Sequence, residues 1–157
     1  MKKLVWMGFL LALSALAQGR PFVEAVTSNL GLVFTTPTQF NMDLRVNGGV
    51  KRLAGPFGVQ GGAGIEVQQG TASFNLEAGA LFSFGTSGLI PEAGLGIEAN
   101  FGGNQTNFRV GALVGIEYEL GRDRDLSLLF SVRPAVGFGG NQTTFSMNLR
   151  AGLRIYP

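Results

Sequence analysis

The chain of 157 residues contains no cysteine and no histidine. Without cysteine it forms no disulfide, so an exported form of the protein must be held together by other interactions. Without histidine or cysteine, the Ser–His and Cys–His pairs that activate protein nucleophiles are unavailable. Carboxylates remain as possible acid–base groups. Several arginines on the predicted strands can pair with them, and a buried carboxylate more often has such a partner than a catalytic role. We therefore predict that the protein is not an enzyme and has no catalytic residue, cofactor or metal site.

Long hydrophobic runs are also missing, except at the N-terminus. Lys2 and Lys3 precede an apolar segment, Leu4–Leu16, whose 13 residues are fewer than a spanning helix needs. Ala15-Leu16-Ala17 fits the small-x-small rule for signal peptidase. The pattern predicts a signal peptide over residues 1–17, cleaved after Ala17, and one mature domain over residues 18–157.

An excess of positive charge is absent from the predicted mature chain. The 12 basic and 10 acidic residues balance once Lys2 and Lys3 are removed. Because no basic patch is left, we expect no nucleic-acid partner.

What the chain has instead is an alternation of apolar and polar residues that repeats eight times. The stretch from Phe40 to Asn47 shows the period of two that is typical of β-strands, and six later stretches repeat it. The first stretch, Phe22–Phe34, is interrupted by Glu24 and Ser28, and a bulge near Ser28–Asn29 would restore its register. Short connections rich in Gly, Pro, Asn and Thr separate the stretches, which favours antiparallel hairpins.

One face of these strands is aliphatic and aromatic, and the other carries glycine, amides and charge. The polar face cannot form an apolar core, so we expect it to line a closed barrel while the apolar face meets lipid. The charges predicted to form a network in the lumen are Asp43, Arg45, Glu66, Glu77, Glu92, Glu98, Arg109, Glu117, Arg133, Arg150 and Arg154.

The aromatic residues are sorted to the ends of the strands. With the N-terminus in the periplasm, the predicted outer ends carry Phe34, Phe40, Phe74, Phe101, Phe108, Phe138 and Phe145. The predicted periplasmic ends carry Phe22, Phe57, Phe82, Phe84, Tyr118 and Tyr156. Two aromatic girdles are what a membrane-spanning barrel requires at its two interfaces. Two related tips, FGGNQTNF from Phe101 and FGGNQTTF from Phe138, would then face outward.

This pattern resembles the small eight-stranded outer-membrane β-barrels, the class of the OmpA membrane domain and OmpX. The resemblance implies an all-β, eight-stranded antiparallel up-and-down transmembrane β-barrel in the bacterial outer membrane. It also implies two partners, outer-membrane lipid and the outer-membrane assembly machinery, which reads the last strand. That strand keeps its alternation through Ile155, although the chain ends in Pro157 rather than an aromatic residue.

The sequence leaves three functions open, and it leaves the oligomeric state undecided. In the first, the Arg/Glu network plugs the lumen of a structural or surface protein. In the second, spaces beside the lumen glycines join into a narrow pore for ions and very small solutes. The third is a soluble periplasmic β-barrel carrying a lipophilic ligand, which requires the apolar face to lie inside.

Overall fold

Eight β-strands follow one another along the chain. The computed structural model describes residues 19–34, 38–102, 105–121, 123–139 and 142–157; the predicted signal peptide lies outside them. The strands are β1 (Arg20–Phe34), β2 (Gln39–Ala54), β3 (Phe57–Gln68), β4 (Thr71–Ser83), β5 (Leu89–Gly102), β6 (Gln105–Leu120), β7 (Leu126–Gly139) and β8 (Gln142–Ile155). Among the described residues, no helix is long and apolar enough to span a membrane.

Each strand pairs antiparallel with its neighbours in sequence, and β1 pairs with β8. The sheet is therefore a closed up-and-down barrel without a free edge, as the sequence predicted. We call the end where β1 begins and β8 ends the terminal end, and the other the distal end. The tight Gln69-Gly70 turn between β3 and β4 lies at the distal end, and both of its residues have positive φ, as a type I′ hairpin turn requires.

The strands alternate between the two sides of the barrel wall, and the apolar side is outside. Leu95 and Ile97 on β5 are each 63% exposed, whereas Glu98 beside them is 1% exposed. Val110 and Leu149 also face outward. This is the reverse of the arrangement that the soluble carrier requires.

A bulge in β1 sets which of its residues face inward. The pairing of β1 with β2 shifts between Ser28 and Gly31, at the predicted position. On the N-terminal side of the bulge, Phe22, Glu24, Val26 and Ser28 are buried inside while Val23 is exposed. The bulge moves the later part of the strand by one residue, so that Val33 is buried and Phe34 is exposed.

Two aromatic residues predicted for the membrane interface lie inside the barrel instead. Phe22 is 2% exposed and Tyr156 is 5% exposed. Phe22 is inward because it shares the register of Glu24, on the terminal side of the bulge. Tyr156 follows Arg154 by two residues and so points to the same side. The prediction that these two residues belong to a girdle was wrong.

Candidate functional site: the charged lumen

The lumen holds charged side chains from every strand of the barrel. All eleven charged residues predicted for this face lie inside it. Glu119 is also buried, where it pairs with Arg20 and Arg124. The structure adds Glu24 and Lys51 to the predicted network. The side-chain contacts divide these groups into two clusters. The central cluster is Asp43, Arg45, Glu66, Glu77, Glu98, Arg109, Arg133 and Arg150, and the terminal cluster is Glu24, Lys51, Glu92, Glu117 and Arg154. Among the described residues, no ion pair joins the two.

The central cluster is organised around two carboxylates that lie directly opposite each other on β4 and β5. Glu77 and Glu98 are register partners, an arrangement that is unfavourable for like charges on their own. Arg45 resolves it, because its Nη1 lies 2.7 Å from Glu77 Oε2 and 2.8 Å from Glu98 Oε2. Arg133 bridges the same two carboxylates at 3.2 and 2.5 Å. The two arginines therefore tie four strands together across the lumen.

The remaining members of the central cluster extend it toward the distal end and toward β8. Arg109 binds Glu66 and lies 3.1 Å from Glu98 Oε1. Arg150 is held more loosely, at 3.4 Å from Asp43 and 3.6 Å from Glu77. Four guanidinium groups face four carboxylates, so the formal charge of the cluster cancels. Such cancellation is what allows charges to be buried at all.

The terminal cluster is a second set of pairs around Arg154 and Lys51. Arg154 lies 2.7 Å from Glu24, 2.8 Å from Glu92 and 2.9 Å from Glu117. Lys51 lies 2.5 Å from Glu92 and also binds Glu117. The predicted alternation of β2 ends at Asn47, whereas the strand continues to Ala54. Four further residues of the same alternation place Lys51 in the lumen.

An apolar group, which we call the terminal seal, lies beside the terminal cluster. It consists of Phe22, Leu81, Leu113 and Tyr156. The rings of Phe22 and Tyr156 meet edge to face with centroids 6.4 Å apart, and the Tyr156 hydroxyl donates to Glu117. The guanidinium of Arg20 covers the Tyr156 ring at 3.5 Å. The sequence predicts a lumen lined only by polar residues and glycine. The structure differs, because an apolar cluster with two aromatic rings lies at its terminal end.

Glycines on the inner wall make room for these side chains. A Cβ at Gly49 would lie 2.7 Å from the Phe22 ring. A Cβ at Gly64 would lie 2.6 Å from the side chain of Arg45 and 2.9 Å from that of Asn75. The barrel interior is only wide enough for side chains to fill it. The long arginine side chains fit there because the neighbouring glycines have no side chain.

The outer wall carries aromatic residues at both ends, but not equally. The seven phenylalanines predicted for one interface all face outward at the distal end, one on each strand except β3. Neighbouring rings meet, as in the pairs Phe34–Phe145 at 5.5 Å and Phe74–Phe101 at 6.4 Å. At the terminal end Phe57, Phe82, Phe84 and Tyr118 remain on the outer wall, confined to the β3–β6 side.

The carboxylates of the two clusters are all engaged in ion pairs. Every lumen carboxylate of the two clusters contacts at least one Arg or Lys. Within the described residues, no group of three or more His, Cys, Asp or Glu side chains is arranged to hold a metal ion.

Comparisons with known proteins identify the architecture. No protein-family model and no curated protein matches this sequence. The crystal structure of Neisserial surface protein A (NspA) is similar with a TM-score of 0.73 at 17% identity, covering 87% of this chain and 97% of that one. The N-terminal β-barrel domain of Pseudomonas aeruginosa OprF is similar with a TM-score of 0.61 at 16% identity, covering 88% of this chain and all of that one.

Likeness at such low identity establishes a shared fold. The closed barrel, its strand number and its strand order agree with the class that the sequence resembles. The chain therefore has the fold of the small eight-stranded outer-membrane β-barrels.

Proposed function

We propose that this protein is an integral β-barrel of the bacterial outer membrane, a structural or surface protein whose lumen is closed by its ion-pair network. The observation that carries the proposal is the direction of the two faces. Apolar side chains cover the outer wall over the length of the strands, and charges are buried within. Only a hydrocarbon environment makes both placements favourable at once.

The strand dimensions support the same environment. A strand of 14 residues, such as β5, is about 46 Å long at a rise of about 3.3 Å per residue. Tilted by about 45°, it spans roughly 33 Å, close to the ~30 Å thickness of a bilayer core. The phenylalanines of the distal girdle then reach the level of the lipid headgroups, where aromatic rings are favoured.

The tight packing of the clusters supports a closed lumen. Side chains of Arg45, Glu98 and Arg133 are between 0 and 2% exposed. The terminal seal adds an apolar layer that hydrated ions cross poorly. The protein in this proposal has no catalytic role.

The proposed orientation places both termini in the periplasm and the distal end outside the cell. The outward row of β8, which includes Phe145, Leu149 and Leu153, would present the apolar face that the assembly machinery reads. Tyr156 is turned inward and is withheld from that row. Outer-membrane lipid is the second partner.

Fractionation tests membrane integration. The protein should sediment with outer-membrane vesicles, require detergent for release, and migrate differently on gels before and after boiling. Recovery in the aqueous phase without detergent would contradict the proposal. Planar-bilayer recordings test the closed lumen separately, since a plugged barrel gives no discrete conductance steps.

A narrow pore for ions is the second candidate, favoured by incomplete pairing within the lumen. In the described part of the chain, both amide atoms of Asn75, Nη2 of Arg133 and Nε of Arg150 are buried without a hydrogen-bond partner in the protein. Buried polar groups of this kind are ordinarily satisfied by water. Stable unitary openings whose conductance rises in Phe22→Ala, which removes one ring of the terminal seal, would favour this function.

A further inference from the structure

A polar cavity of about 200 Å³ lies at the distal mouth of the barrel. Its wall includes the side-chain amides of Gln39, Gln68, Gln69, Asn100 and Asn107, and Arg109 lies at its floor. The hydroxyl residues Thr71 and Ser73 also contribute to the wall. Each side-chain amide donates hydrogen bonds through its nitrogen and accepts them through its oxygen, and each hydroxyl group can do both through its single oxygen. Among the described residues, no aromatic ring lines the cavity, so a ligand would be held there by hydrogen bonds rather than by stacking.

The cavity has no net charge to attract an ion. Arg109 is paired with Glu66 and Glu98, and Glu66 also accepts hydrogen bonds from Asn41 at 2.5 Å and Asn100 at 3.0 Å. In the sequence, the segments that connect β1 to β2, β3 to β4, β5 to β6 and β7 to β8 contain no Asp, Glu, Lys or Arg. The charged groups of the mouth therefore satisfy one another. Gln68 donates a hydrogen bond to Gln39, and Ser73 donates one to the backbone of Glu66. The amide nitrogen of Gln39, the amide oxygen of Gln68 and the side chains of Gln69, Thr71 and Asn107 can still meet a ligand.

The cavity lies above a layer of buried charge. The central cluster forms that layer beneath Arg109, and the terminal seal packs at the other end of the lumen. A solute in the distal mouth would have to pass the buried side chains of Arg45, Glu98 and Arg133 to cross the barrel. The geometry suits binding rather than transport.

We propose that the distal mouth cavity binds an uncharged, hydroxyl-rich ligand, namely a sugar, either free or as the headgroup of a glycolipid. Sugar hydroxyls match the alternating donors and acceptors of the amides, and their neutrality matches a site whose charges are internally compensated. A site that holds its ligand by a few hydrogen bonds is expected to have a dissociation constant in the millimolar range, about 1–10 mM.

The test is a titration of the purified full-length mature protein, followed by NMR of side-chain amide groups. The protein is held in dodecyl-dimethylamine-oxide micelles, which carry no sugar, and the probes are glucose and, separately, octyl glucoside. Saturable shifts in the side-chain amides of Gln68 and Asn107 are expected with at least one probe. Saturation by glucose identifies the sugar itself as the ligand, and saturation by octyl glucoside alone identifies a lipid-borne headgroup.

Variants and an anionic probe make the result decisive. The pair Gln68→Leu and Asn107→Leu should weaken binding about thirtyfold, the loss expected for two hydrogen bonds. Gln69→Gly removes one side-chain amide from an exposed turn. Gln69 has positive φ, a backbone conformation that glycine adopts readily, so the variant should fold and should bind severalfold more weakly. Gln60→Leu, on the same strand as Gln68 but outside the cavity, is the matched control and should bind like the parent protein.

Three results would overturn the proposal: no saturable shift with either probe, tighter binding of glucose 6-phosphate than of glucose, or unchanged binding by both Gln69→Gly and the double variant. Membrane integration is measured independently by fractionation. The binding site and the proposed function can therefore fail separately.

Discussion

Replacing Leu95 by arginine tests whether the outer wall meets hydrocarbon. Leu95 lies near the middle of β5, six residues after Leu89 and seven before Gly102, and its side chain is 63% exposed. In a water-soluble protein, a change at such an exposed position shifts the free energy of unfolding by less than about 0.5 kcal/mol. In a membrane barrel, the same arginine at the bilayer midplane costs about 2–4 kcal/mol.

The matched control is Ala72→Arg. Ala72 is the second residue of β4, at the distal end, and it is also exposed on the outer wall. With a span of roughly 33 Å for a tilted strand of this length, Leu95 lies near the centre of the bilayer and Ala72 near its surface. An arginine at Ala72 can extend its head to water, so its cost falls to about 0–1 kcal/mol.

The measurement is urea unfolding of the mature protein in lipid vesicles, followed by far-ultraviolet circular dichroism and by gel migration without boiling. Trp6 lies in the predicted signal peptide, so tryptophan fluorescence is not a suitable signal. Linear extrapolation gives the free energy of unfolding for each variant. We expect Leu95→Arg to be less stable than Ala72→Arg by about 2–3 kcal/mol.

Equal stabilities for the two variants, both within about 0.5 kcal/mol of the parent, would refute the reasoning. That result would mean that the exposed apolar side chains meet water or a protein partner instead of lipid.

Three further substitutions test the interior. Glu98→Gln should lower the free energy of unfolding by about 3–5 kcal/mol, because it leaves buried arginines without their shared carboxylate. The control is Arg124→Gln, whose half-exposed side chain lies 3.7 Å from Glu119, and it should cost at most about 1 kcal/mol. Equal losses in urea titrations would argue against the central cluster. Tyr156→Phe removes one hydrogen bond to a carboxylate and should cost about 1.5–3 kcal/mol, and unchanged thermal stability would show that the hydroxyl is not engaged. Gly49→Ala should destabilise the barrel by about 1–3 kcal/mol, because its Cβ would lie 2.3 Å from the backbone oxygen of Val59 and 2.7 Å from the Phe22 ring. Gly48→Ala, whose Cβ would lie no nearer than 3.7 Å to any residue other than its chain neighbours, should be tolerated in the same gel assay.

The strand pattern and the sidedness of most residues could be predicted from the sequence because both depend on a local period. Side chains alternate along a strand whatever surrounds it, so Leu95, Ile97 and Val110 could be assigned to one side and Glu98 to the other. The bulge near Ser28 was also predicted, since a polar residue in an apolar row requires a local change of register.

The contents of the lumen were harder to predict. The sequence pattern places Phe22 on the outer wall only if the apolar row of β1 continues unchanged through the bulge, and it does not. Lys51 is missing from the predicted lumen because the predicted alternation of β2 ends at Asn47. Ion-pair partners could not be assigned from the sequence either. Arg45 and Glu98 are 53 residues apart, and Arg154 and Glu92 are 62 apart.

The number of strands and the apolar face of most of them can be predicted from the sequence, because both depend on alternation along each strand. Which charges meet, and where the terminal seal forms, depend on the folded barrel. Closing the sheet brings non-neighbouring strands within reach across a narrow interior, and no local pattern records which arginine, glycine or ring will lie opposite another there.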